Sequence, residues 1–206
     1  MSRFLRSVAF ATILGIAVPC VAESQVRPTA TEHTKPDFTV LVVDSATEFT
    51  AQVGRYYELR RRLEAGLPAP IVTNDVRQIR SGTRSLARAI RHARPGAVQG
   101  EFFTAETSVE FKRVLASIMT ATVWAVIMDD NPGGFSHKID GSYPDGRPQS
   151  TMPGIVLAQL PPLPDGIEFR FTGRHLVLYD VRANTIIDRL PDAIGRTDWS
   201  GLRKTR

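Results

Sequence analysis

Five arginines between positions 77 and 91 have the spacing most suggestive of a binding surface. Arg77, Arg80, Arg84, Arg88 and Arg91 follow one another at intervals of three or four residues, which places them on one face of a helix. Guanidinium groups bind phosphates and carboxylates with two parallel hydrogen bonds. The spacing predicts contact with phospholipid headgroups, an anionic envelope polymer or an acidic protein partner. The alternative is a solvated face of the helix, on which the aliphatic parts of the arginine side chains cover core residues.

The surroundings of these arginines are basic, whereas the chain as a whole is only mildly so. Residues 55–94 hold ten Arg against three acidic residues. The formal net charge of the whole chain is +5, and loss of an N-terminal leader carrying two Arg and no acidic residue lowers it to +3. A charge this small does not indicate a nucleic-acid binder, so no nucleic-acid partner is expected.

A second polar cluster occupies a loop and consists of Asp129, Asp130, His137 and Asp140. Carboxylates and an imidazole can hold a divalent ion, or provide a general base with an orienting partner. The alternative function is therefore a metal-binding protein or a metal-dependent hydrolase. The spacing fits neither an EF-hand nor a G-x-S-x-G nucleophile elbow. The other interpretation is a solvated loop in which the first two carboxylates end an apolar run.

Other chemistries lack the residues that they need. The four histidines lie far apart in the sequence, and there is no H-E-x-x-H pair, so a preformed zinc site is not expected. Neither a phosphate-binding G-x-x-x-x-G-K-[ST] loop nor a G-x-G-x-x-G motif is present, so no nucleotide cofactor is expected. We therefore expect no cofactor at all, and these absent motifs favour a non-catalytic protein.

The first 22 residues have the layout of a secretory signal peptide. Arg3 and Arg6 precede an apolar stretch over residues 8–18, and small residues lead up to Ala22. The stretch is shorter than the roughly 20 apolar residues that span a bilayer, so cleavage after Ala22 is favoured over a retained anchor. Cys20 offers lipidation as an alternative, but Pro19 stands where a lipoprotein signal has a small residue. The prediction is an exported protein, periplasmic or secreted, with no transmembrane helix in the mature chain.

Periodicity then predicts three helices. The first covers residues 46–65, with a capping box from Ser45 to Glu48 and Phe49, Val53, Tyr56 and Leu63 on its inner face. The second begins near residues 73–75 and ends near Arg94, with an apolar stripe of Val76, Ile79, Leu86, Ala87 and Ile90. The third is capped by Thr104 and directs Phe111, Val114, Leu115, Ile118 and Ala125 inward. Together they predict a small helical bundle.

The composition changes after residue 129. Residues 131–166 hold seven Pro and six Gly, so no regular element of useful length is expected there. Beyond them the period becomes two, which predicts a three-stranded antiparallel meander. The predicted fold class is α+β. Its parts are a signal peptide (1–22), a flexible lead-in (23–36), a helical bundle (37–128), a Pro/Gly-rich loop (129–166), an antiparallel β meander (167–195) and a polar tail (196–206).

The C-terminal segments LPPLPDGIEFR (160–170), GRHLVLYD (173–180) and NTIID (184–188) resemble the closing module of a group of uncharacterised exported bacterial proteins. The helix with LRRRL (59–63) and the segment GEFFT (100–104) extend this resemblance over most of the mature chain. The closing module is also distantly similar to the end module of periplasmic nickel- and cobalt-homeostasis proteins. Neither resemblance supplies a catalytic residue. The expected function is an exported envelope-associated protein that binds an anionic surface or another envelope protein.

Overall fold

A computed structural model describes residues 43–68 and 74–195 of the chain. The signal peptide, the lead-in and the polar tail of the prediction lie outside these ranges. The architecture is mixed α+β, as predicted. The described elements are α1 (Val43–Ala65), α2 (Val76–Ala93), α3 (Ala105–Ile118), α4 (Ala121–Asp129), α5 (Gly154–Leu157), β1 (Ile167–Thr172), β2 (His175–Asp180) and β3 (Thr185–Leu190).

The first helix begins earlier than the sequence predicted. Because α1 already includes Val43, Ser45 and Glu48 lie inside its first turns and do not cap it, so the predicted capping box is wrong. The inner face is confirmed, since Phe49 and Val53 are each 1% exposed and Tyr56 is buried beside them. A 3.6-residue apolar period therefore located the buried face better than the helix start.

Polar caps define the later helices. Asp75 accepts a hydrogen bond from the backbone N–H of Arg77 at 2.8 Å and begins α2, while Thr104 accepts one from Thr107 at 3.3 Å and begins α3. Both starts agree with the prediction. Each cap satisfies a backbone donor that the helix itself leaves free.

The predicted third helix is in fact two helices. Met119 adopts an extended conformation, and the hydroxyl of Thr120 caps α4 by accepting a hydrogen bond from Val123 at 3.2 Å. The axes of α3 and α4 differ by 110°. The bend leaves Ala125 exposed, so the expectation that it points inward is wrong. The arrangement of about three helices in one bundle is not confirmed.

The three strands form an antiparallel sheet in the order β1-β2-β3, which matches the predicted meander. Gly173, with φ of +59°, makes the first turn, and Asn184, with φ of +48°, makes the second. Both values lie in the left-handed region that glycine and asparagine tolerate best. A register shift beside Leu178 and Tyr179 interrupts the pairing of β2 with β3.

Helices and strands share one apolar core. Phe49 of α1 lies 5.0 Å from Phe111 of α3 and 5.9 Å from Phe169 of β1, measured between ring centroids. These aromatic rings join the helices to one face of the sheet, and Phe103 completes the cluster. Aromatic burial of this kind is a large part of the apolar stabilisation of a small domain.

The long Pro/Gly-rich loop covers the opposite face of the sheet. Tyr143 packs with the buried side chains of Val177, Tyr179 and Ile186, and Phe135 lies against them. The loop also contains the single turn α5, which the sequence analysis did not predict. The part of the loop around Phe135 and Tyr143 therefore forms a layer on this face of the sheet, whereas Val156 of α5 is buried in the main core with the helices.

Candidate functional site

The arginines singled out by the sequence share one exposed surface of α2. All five, from Arg77 to Arg91, are exposed. At about 100° per residue they occupy an arc of about 80° on the helix. Residues 76–93 contain no Asp or Glu, so no acidic side chain of the helix itself neutralises the stripe.

The central arginines of the stripe have no ionic partner within the ranges that the structure describes. The ion pairs found there join other residues, and none includes Arg80, Arg84 or Arg88. Arg91 turns its guanidinium toward the fold, where it donates to the backbone carbonyl of Asp140 at 3.4 Å. The part of the stripe that can meet an external ligand is therefore residues 77–88.

The apolar stripe of α2 is only half buried. Leu86, Ala87 and Ile90 lie in the core, as predicted. Val76 and Ile79 are 56% and 55% exposed, so the prediction that they are buried is wrong. The helical period is continuous, but the first half of α2 extends beyond the side chains that pack against its second half.

The second half of α2 is held in place by Arg94, which follows its last turn. Arg94 forms ion pairs with Asp140 and with Glu101, and the distance to the Glu101 carboxylate is 2.7 Å. The Arg94 guanidinium also lies 5.2 Å from the centre of the Tyr56 ring. Burial raises the pKa of Asp140 to about 6, against the opposing effect of the Arg94 cation. Asp140 is therefore mainly ionised at neutral pH and attracts Arg94. This contact fixes the C-terminal end of the helix that carries the arginine stripe.

A buried carboxylate on the sheet orders the loop that supplies Glu101. Asp188 is fully buried and accepts hydrogen bonds from the backbone N–H groups of Gly100 at 2.9 Å, Phe102 at 2.8 Å and Phe103 at 2.9 Å. A fourth comes from the N–H of Arg189 at 2.7 Å. Hydrogen bonds to a carboxylate are stronger than those to a neutral acceptor. Nothing in the sequence pattern distinguishes Asp188, because a short strand gives no signal that one of its carboxylates binds a distant loop.

A second buried carboxylate ties α1 to the sheet. Asp180 accepts a hydrogen bond from the Tyr56 hydroxyl at 2.9 Å and pairs with Arg60 at 3.5 Å. Burial and the neighbouring Asp180 charge raise the pKa of Tyr56 well above its usual value, so the hydroxyl keeps the proton that it donates. Arg60 also donates to the carbonyl of Asp165 at 2.8 Å. These contacts explain why Arg60, within a run of three arginines, is buried.

The four residues of the alternative metal site do not form one. Asp129 is exposed at the end of α4, Asp130 accepts hydrogen bonds from Thr151 at 2.6 and 2.8 Å, and Asp140 is paired with Arg94. No group of three or more His, Cys, Asp or Glu side chains that could hold a metal ion occurs among the described residues. The structure therefore does not bring the four side chains together, since Asp130 bonds Thr151 while Asp140 pairs with Arg94 at the end of α2.

The remaining member of that set, His137, packs on the sheet face that the loop covers. Its ring stacks on Phe135 at 4.4 Å, its Nε2 contacts the hydroxyl of Thr172, and Arg189 approaches its Nδ1 at 3.5 Å. Burial, the Arg189 cation and His175 lower the pKa of His137 to about 4. The imidazole is therefore neutral at pH 7 and acts as a packing and hydrogen-bonding residue.

No single helix among the described residues is long and apolar enough to cross a membrane. Taken together, the bent pair of α3 and α4 has the length and the apolar composition that crossing a membrane requires. Comparison of the chain with protein-family models, with curated proteins and with solved structures found no match. The resemblances seen in the sequence therefore stay predictions.

Proposed function

We propose that this protein is an exported, envelope-associated binding protein without a catalytic role, and that α2 is the element that contacts an anionic surface. The observation that carries the proposal is the exposure of four arginines, from Arg77 to Arg88, on one arc of a helix that has no acidic residue. A solvated helix gains from mixed charges at spacings of three and four residues, and this helix has no such pairs. Solubility alone does not call for five arginines on a single arc.

The anchoring of α2 also supports the proposal. The ion pairs of Arg94 with Asp140 and Glu101, together with the buried side chains of Leu86 and Ile90, hold the helix by its C-terminal half. The first half then presents guanidinium groups in a fixed arrangement. A preformed array loses less side-chain and backbone entropy on binding than a flexible basic segment does.

The proposal is tested by removing three charges while keeping the helix. In the Arg80→Gln, Arg84→Gln, Arg88→Gln variant the helix is retained, because Gln is nearly as good a helix former as Arg. Each guanidinium near an anionic surface contributes about 1 kcal/mol, so the variant should bind roughly a hundredfold more weakly. Binding is measured by sedimentation with anionic vesicles and with purified envelope polymer in low salt.

The matched control removes three exposed cations elsewhere. Lys112, Arg113 and Lys138 lie on α3 and in the long loop, and their replacement by Gln changes the net charge equally. We expect this control to bind nearly as well as the wild type. Equal binding by the wild type and the α2 variant, with native circular dichroism in both, would leave the arginines as a solvated flank of the helix.

A further inference from the structure

The exposed first half of α2 has a second feature beside its charge. Val76 and Ile79 belong to the same apolar stripe as the buried Leu86 and Ile90, yet they are 56% and 55% exposed. At about 100° per residue the whole stripe spans an arc of about 100°, and the arginine arc borders it directly. The first half of α2 is thus an amphipathic helix whose apolar side faces solvent.

This combination discriminates between the possible anionic surfaces. A polysaccharide or an acidic polymer offers charges to the arginines but nothing apolar for Val76 and Ile79. An anionic bilayer offers both, because its headgroups lie above acyl chains. Arginine stems can extend beside an inserted apolar face while their guanidinium groups stay at headgroup level.

Charge complementarity selects the lipid class. The stripe from Arg77 to Arg88 has no acidic residue between its members, and a zwitterionic bilayer has no net negative charge to balance these cations. Two inserted side chains bury too little apolar surface to hold a protein on a neutral membrane. The arginines and the apolar pair must therefore act together.

We propose that the first half of α2 lies in the headgroup region of an anionic lipid bilayer, with Val76 and Ile79 inserted toward the acyl chains and Arg77, Arg80 and Arg84 on the phosphate groups. The inference rests on the proposed function and specifies its surface. Binding is peripheral: only the N-terminal end of α2 enters the headgroup region. Its second half, whose Leu86 and Ile90 lie in the core, stays outside the bilayer with the rest of the fold.

The experiment separates the apolar contribution from the charge. The Val76→Ser, Ile79→Ser variant removes the apolar pair and keeps every arginine, and Ser has nearly the helix propensity of Val and Ile. The control Val109→Ser, Val126→Ser removes two exposed valines of α3 and α4, which are 65% and 40% exposed. Each full-length protein is titrated with phosphatidylcholine vesicles, with vesicles containing phosphatidylglycerol, and with polyglutamate as a lipid-free polyanion.

The wild type and the valine control should bind the phosphatidylglycerol vesicles equally and the phosphatidylcholine vesicles weakly. Loss of the apolar pair should weaken binding to the anionic vesicles roughly tenfold and leave binding to polyglutamate unchanged. Wild-type binding to polyglutamate but not to vesicles would overturn the lipid inference, as would equal vesicle binding by the variant lacking Val76 and Ile79. Either result would leave the proposed anionic surface standing. If the variant lacking Arg80, Arg84 and Arg88 binds vesicles and polyglutamate as well as the wild type does, the proposed function itself is wrong.

Discussion

The Asp188→Asn substitution should destabilise the protein strongly, although it changes a single atom of the side chain. The carboxylate of Asp188 accepts two backbone hydrogen bonds on each oxygen, from Gly100 and Arg189 on Oδ1 and from Phe102 and Phe103 on Oδ2. In asparagine an NH2 group, which can only donate hydrogen bonds, replaces one of the two oxygens. Two of the four N–H groups would then face another donor inside the protein.

The size of the effect follows from these contacts. Each hydrogen bond to a buried charged group is worth about 1.5–3 kcal/mol, so losing two costs about 3–6 kcal/mol. Folded domains are stable by about 5–15 kcal/mol, which means that the variant loses a large fraction of its stability. The midpoint of thermal unfolding should fall by roughly 10–20 °C for a chain of this size.

Urea unfolding followed by circular dichroism measures this loss, and Asp145→Asn, in an exposed turn of the long loop, is the matched control. The control should change the free energy of unfolding by less than about 0.5 kcal/mol. Hydrogen exchange should also accelerate at Phe102 and Phe103 in the Asp188 variant. If Asp188→Asn unfolds within about 1 kcal/mol of the wild type, the carboxylate does not hold this loop in the way described.

Three further predictions concern stability and processing. Gly82→Ala should raise the free energy of unfolding by up to about 1 kcal/mol, because an added Cβ in α2 meets open space. Gly173→Ala should lower the free energy of unfolding, because the backbone φ at this position is +59°. Urea titration of both variants and the wild type measures the two effects. The pKa of His137 is about 4 in the folded protein and about 6.5 in the unfolded chain, so this residue makes the free energy of unfolding fall as the pH drops between these values. The His137→Gln variant should lose less stability between pH 7 and pH 4.5, as measured by urea titration at both values. An equal loss in both proteins would contradict the prediction. Mass spectrometry of the exported protein should find Glu23 as the first residue, and a diacylglyceryl group on Cys20 would contradict it.

Local signals in the sequence predicted much of the fold. Asp75 and Thr104 begin helices as expected, because the hydrogen bond of a helix cap joins residues only two or three positions apart. The three strands were also predicted, since the alternation around Phe169 and the turn at Asn184 are local patterns. The start of α1 and the break at Met119 were missed, because tertiary packing and single backbone angles determine where a helix begins and ends.

The features of the site that were missed depend on contacts between distant parts of the chain. Periodicity shows that Val76 shares a face with Leu86, but it does not show how far along α2 the rest of the fold extends. The burial of Arg60 requires Asp180, and the order of the loop at Phe102 requires Asp188. The arginine stripe itself was found from the sequence because helical spacing alone defines it.

Hydrogen exchange of the unmodified protein, with and without phosphatidylglycerol vesicles, shows directly whether α2 contacts an anionic bilayer. If α2 contacts the bilayer, exchange should slow in its exposed first half, residues 76–84, at about 0.1 M salt, where the Debye length is about 10 Å. Slowing should disappear at about 1 M salt, where the Debye length falls to about 3 Å. If the protein sediments with these vesicles while exchange over residues 76–84 is unchanged, another surface binds the lipid and the role proposed for α2 is wrong.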